Sequence, residues 1–117
     1  MRRDTTPASA MFGQGTTPTL SMIVDGCDLT QAAAIYVTIE QRGRPQLNWT
    51  GDRVVTSLTV DGGTLLSVHL TQEETLSLKA SDAEIQVRWL NPDNEAYITD
   101  INIVDINKAL YKEVIEA

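Results

Sequence analysis

The sequence predicts an all-β fold, an antiparallel β-sandwich of immunoglobulin-like or jelly-roll-like type with six to seven short strands and one short helical turn. Three observations predict it. Apolar side chains recur at every second position in several short runs. Gly, Pro, Asp and Asn separate those runs. No long amphipathic helix lies between strands, so the alternation of a parallel α/β sheet is absent.

Residues 1–17 read as a flexible N-terminal arm and residues 18–117 as one sandwich domain. The arm begins with basic residues but has no apolar stretch after them, so a secretory leader is not expected. Its one apolar pair, Met11 and Phe12, is a candidate docking contact. Residues 19–24 alternate with Leu20, Met22 and Val24 on one face. Residues 33–41 place Ile35, Val37 and Ile39 inward and Tyr36, Thr38 and Glu40 outward. Arg42-Gly43-Arg44-Pro45 is a turn, and a short strand over 46–49 follows.

Residues 53–60 and 64–70 form a hairpin across Asp61-Gly62-Gly63. Val54, Thr56, Leu58 and Val60 share one face of the first strand, and Leu66, Val68 and Leu70 one face of the second. Thr71-Gln72-Glu73-Glu74 has the capping-box pattern and opens a helical turn held by Leu76 and Leu78. Residues 83–90 put Ile85, Val87 and Trp89 on one face and Glu84, Gln86 and Arg88 on the other. After the turn Asn91-Pro92-Asp93-Asn94-Glu95, residues 96–104 return with Tyr97, Thr99, Ile101 and Ile103 inward. Residues 107–116 read as a short helix or an irregular end, with a last strand as the alternative.

Sixteen acidic against nine basic residues give a net charge of -7, which argues against nucleic acid and anionic membranes as partners. Apolar runs of a few residues are too short for membrane insertion as a helix. One cysteine, Cys27, makes no internal disulfide, and the acids at Asp25 and Asp28 disfavour its thiolate. One histidine, His69, and one cysteine do not make a structural zinc set. The acidic turns at Asp25, Asp28 and 93–95 do not follow the EF-hand pattern, and no phosphate-cradling or nucleophile-elbow motif is present. No catalytic residue, cofactor or metal ligand is therefore assigned. Trp89 falls in phase with Ile85 and Val87 and reads as core. Trp49, beside a turn, reads as an exposed aromatic suited to an interface. With Met11, Phe12 and Tyr36 it completes the candidate interface set.

Three segments carry a family resemblance: Gly15-Thr16-Thr17-Pro18-Thr19, Leu70-Thr71-Gln72-Glu73-Glu74-Thr75-Leu76, and Ile85-Gln86-Val87-Arg88-Trp89-Leu90 with its acidic turn and Ala96-Tyr97-Ile98-Thr99-Asp100-Ile101. From Gly15 onward the chain resembles a small family of Firmicute phage and prophage virion structural proteins. More distantly it resembles the N-terminal sandwich domain of phage upper baseplate proteins. The resemblance implies a non-enzymatic tail, baseplate or head–tail component, made in the bacterial host cytoplasm and built into the virion. Its implied partners are other virion proteins and further copies of itself, and it brings no catalytic residue. A β-sandwich binding module for a glycan or host-surface ligand is the alternative, marked by Trp49, Tyr36 or Tyr97 exposed beside polar groups in a concave site. A small hydrolase is the third reading and needs His69 or a carboxylate pair converging in a pocket.

Overall fold

The computed structural model describes residues 11–117 and the backbone of residues 2–3 and 5–7. The first sheet holds β1 (Arg2–Arg3), β3 (Met11–Gly13), β5 (Ala34–Gln41), β6 (Arg44–Thr50), β9 (Asp82–Leu90), β10 (Ala96–Thr99) and β11 (Asn102–Asn107). The second sheet, in the order β2-β4-β8-β7, holds β2 (Thr5–Pro7), β4 (Thr19–Val24), β7 (Val55–Leu58) and β8 (Thr64–His69). Strand β9 is the axis of the first sheet. It pairs with β5 along one edge and with β10 and then β11 along the other. The helix α1 (Gln72–Ser77) follows β8, and a single 3-10 turn, Gly51–Arg53, carries the chain from β6 toward β7.

The two sheets share one core. Leu20, Met22 and Val24 of β4 and Leu66 and Val68 of β8 bury against Val37, Ile39, Ile85, Val87 and Trp89 of the first sheet. The predicted all-β sandwich is therefore what the chain forms. The period-two pattern explains why, since each strand turns alternate residues to the shared interior. Trp89 also stacks on its cross-strand partner Tyr97 at 5.5 Å between ring centroids. Four buried polar side chains stay satisfied by tying loops to strands. Gln41 brackets the backbone N–H and C=O of Lys79, and Thr64 accepts from Leu29 N and donates to Cys27 O. Thr75 donates to Thr16 O, and Thr99 accepts from Val87 N.

Four segments exceed the expected six to seven strands: β1, β2 and β3 near the N-terminus, and the second half of a split final strand. Strands β1 and β3 run parallel to β10 and β11, so the first sheet is mixed rather than purely antiparallel. From Met11 onward the expected arm is part of the sandwich. Phe12 pairs in register with Ile106 and is buried, and Gln14 donates from its backbone to Asn107 O and from its side chain to Leu78 O. Residues 1, 4 and 8–10 of that arm lie outside the described residues.

Two further corrections concern phase. Residues 96–104 do not form one strand with Ile101 and Ile103 inward. Strand β10 pairs Ile98 with Arg88, but β11 pairs Asn102 with Ile85, so the returning chain carries one extra residue opposite β9. Such a bulge flips every later side chain to the other face. Thr99 Oγ1 sits at the slip, accepting from Val87 N and donating to Asp100 O. Ile101 and Ile103 consequently face solvent, and Val104 and Ile106 take the core positions. Of the expected inward set Val54, Thr56, Leu58 and Val60, only Val54 and Thr56 are half-buried, while Leu58 and Val60 are exposed, because β7 is an edge strand paired on one side only. The turn after β5 is tighter than expected. Arg42 and Gly43 alone form it, both at positive φ, and Pro45 lies within the edge strand β6, where a missing N–H costs no ladder bond.

Beyond Asn107 the chain is irregular and lies against the body through two glutamines. Gln14 Oε1 accepts from Ala109 N and Lys112 Nζ, and Gln72 pairs with the backbone N–H and C=O of Ile115.

The phase slip predicts opposite outcomes at adjacent positions. Ile103 is 51% exposed and Val104 is 1% exposed. Val104→Ala should cost about 2 kcal/mol in urea unfolding, and Ile103→Ala less than about 0.5 kcal/mol. Equal costs at the two positions would place the strand in the unbroken phase.

Candidate functional site

Of the four candidate interface residues, two are buried and two are exposed. Phe12 is core. Trp49, expected at the surface, is only 2% exposed, because β6 turns it inward beside Val37. Its Nε1 donates to Glu74 Oε2 at 2.7 Å. Arg53 Nη2 donates to Glu74 Oε1 at 2.6 Å and to His69 O at 2.9 Å. The Thr71 backbone N–H also reaches Glu74 Oε1, and Thr71 Oγ1 accepts in return from Glu74 N, which completes the capping box. Burial alone raises the Glu74 pKa. The hydrogen bonds from Arg53, Thr71 and Trp49 and the Arg53 charge outweigh that and hold the carboxyl below its ordinary range. This junction ties four segments together, and of its members only Thr71 and His69 border a surface concavity, one of about 450 Å³ that Thr17, Gln72 and Val114 also line.

Tyr36 is 44% exposed and stands on the outer face of the first sheet. Register sets its neighbours. Thr50, Tyr36, Arg88 and Ile98 form one row across β6, β5, β9 and β10. On one side the row Ala34, Leu90 and Ala96 is low, because two of its three side chains are methyl groups. On the other side stand Asn48, Thr38 and Gln86. Low beside tall makes a concavity of about 430 Å³ bordered by Tyr36, Arg88, Thr38 and Asn48. Thr38 Oγ1 donates to Asn48 Oδ1 at 2.7 Å, which restrains the amide. Neither the Arg88 guanidinium nor the Asn48 amide nitrogen has a hydrogen-bond or ionic partner among the described residues.

The remaining exposed apolar groups concentrate in few places. Met11 is exposed at the first sheet's edge, and Val55, Leu58 and Val60 stand along β7 and its turn. Leu110, Tyr111, Val114 and Ile115 crowd the C-terminal tail.

The other chemistry-bearing groups stay apart. His69 Nδ1 pairs with Thr19 Oγ1 at 3.1 Å on the exposed side of β8. Cys27 is a half-buried free thiol. The side-chain and backbone bonds from Thr30 hold the Asp28 carboxyl below its ordinary range. Asp82 and Asp105 face each other across β9 and β11, and their hydrogen bond and shared charge raise Asp105. Among the described residues no three of His, Cys, Asp or Glu gather to hold a metal. No helix there is long and apolar enough to cross a membrane.

In comparison with known proteins, no family model and no curated protein matches this chain.

The Glu74 junction yields a pH-dependent prediction. A depressed folded-state pKa adds stability above the ordinary carboxylate value of 4.5 and loses it as pH falls through the lower folded value. Glu74→Gln should cost about 1–3 kcal/mol at neutral pH, read by tryptophan fluorescence during urea unfolding. The gap between parent and variant should close in strong acid, where the parent carboxyl is also neutral. A gap that persists unchanged there would mean that shape, not charge, makes the junction.

Proposed function

We propose that this chain is a non-enzymatic structural protein of a phage or prophage particle, a tail, baseplate or head–tail component that works by protein–protein assembly. The family resemblance of the Leu70-to-Leu76 and Ile85-to-Ile101 segments motivates the virion setting. The C-terminal tail is the observation that carries the assembly reading. Leu110, Tyr111, Val114 and Ile115 are exposed, Leu110 at 89%, on a segment held by two glutamine side chains rather than by burial. Four exposed apolar side chains within six residues are a feature that interaction sites share.

A second copy of this chain fits the tail. In helical form Leu110 pairs with Val114 and Tyr111 with Ile115 at i, i+4, giving one apolar face. So short a helix is marginal alone and becomes stable when packed. Charge favours an antiparallel neighbour, since Lys108 and Lys112 then meet Glu116 and Glu113. The -7 net charge keeps free subunits apart until such contacts form.

Light scattering over a wide concentration range tests this. The parent chain should give a discrete oligomer, and a Leu110→Ser, Ile115→Ser double variant should shift to monomer with its circular dichroism unchanged. Surface substitutions are preferable to N-terminal truncation, because Phe12 belongs to the core. A parent chain that stays monomeric throughout would sink self-assembly through the tail.

A further inference from the structure

We propose that the outer-face concavity beside Tyr36 binds an acidic sugar, with Tyr36 as the stacking surface and Arg88 as the carboxylate-binding group. The inference is independent of the assembly reading and uses a different surface. Its volume, about 430 Å³, is within the range that receives small ligands.

Each part has a chemical role. The Tyr36 ring, 44% exposed, offers an apolar face to the C–H side of a pyranose, a contact that needs an exposed aromatic next to polar groups. Arg88 lies directly across from Tyr36 on β9 and carries a planar fork of donors with no ionic partner among the described residues. That fork matches a carboxylate in two parallel hydrogen bonds. Asn48 is held by Thr38 so that its amide N–H donors remain for a hydroxyl or ring oxygen. The low floor of Ala34, Leu90 and Ala96 lets a sugar ring settle beside the taller Tyr36 row.

Charge places the acid group. The same face carries Glu40 opposite Glu84, four residues along β5 and β9 from Tyr36 and Arg88. That is roughly 13 Å away at strand rise, beyond the screening length of about 8 Å at physiological salt. A carboxylate at Arg88 therefore feels the guanidinium more than the distant acid pair. A neutral sugar can accept hydrogen bonds from Arg88 but lacks the bidentate ion pair, so the site should discriminate by charge.

The test is titration calorimetry of the full chain with a hexasaccharide of alternating glucuronic acid and N-acetylglucosamine, against a neutral chitin hexasaccharide. The expected result is saturable binding of the acidic oligosaccharide, weaker at high salt, with the neutral one at least about tenfold weaker. Arg88→Gln and Tyr36→Ala should each lose about tenfold or more. The exposed Val60→Ser, in the turn after β7 and outside the concavity, should bind as the parent does. Unchanged thermal melts of the variants separate loss of the site from loss of the fold. No saturable binding of the acidic oligosaccharide, equal binding of the neutral one, or binding undiminished in both site variants would overturn the proposal.

Discussion

One N–H group constrains how the two sheets meet. Trp49 brings the largest aromatic of β6 into the core, and its indole Nε1 must find an acceptor there. Glu74 provides it, from a helix that follows the second sheet. A carboxylate in that position would be costly with the indole as its only partner. Arg53 and the Thr71 backbone supply the missing donors, and Arg53 also binds the last carbonyl of β8. The first sheet, the crossover turn, the end of the second sheet and α1 are thereby joined at a single carboxylate. The helix has six residues, too few to persist by itself, and this junction together with buried Thr75 gives it a reason to form.

The bulge after Thr99 is a second constraint, and the N-terminal segment depends on it. By inserting one residue opposite β9, the chain brings Val104 and Ile106 to the core side. Ile106 is the register partner of Phe12 in β3, so the buried pair that closes this edge exists only in the shifted phase. An unbroken strand would have turned Asp105 inward there. It would also have buried Ile103 in its place and left β3 without an apolar neighbour at Phe12.

Local patterns were readable in the sequence, and contacts between distant segments were not. Alternation alone located β4, β5, β8 and β9 and their inward residues, because burial on one face writes period two into each strand. The capping box was readable because Thr71 and Glu74 are three residues apart. The bulge was hidden, since Asp100 and Ile101 include no Gly or Pro and the apolar alternation runs straight through them. Trp49 seemed exposed because its acceptor is 25 residues away in sequence. The anchoring of the tail by Gln14 spans 95 residues and leaves no local mark. Tyr36 and Arg88 were each readable as outward, but their adjacency required the register of β5 on β9.

The division between faces also separates what the fold needs from what it leaves free. The sandwich spends alternate positions of β5, β6 and β9 on the core, and a change at Phe12 or Trp49 disturbs packing before it can report on any partner. The outer positions carry no such duty. Tyr36 keeps 44% of its surface exposed, and Arg88 is exposed with no ionic partner among the described residues. They stand in one row beside a floor of alanines, with a restrained amide at the rim. An exposed aromatic beside a guanidinium with no partner among the described residues is chemistry that the core does not use, and it is what the proposed ligand site draws on.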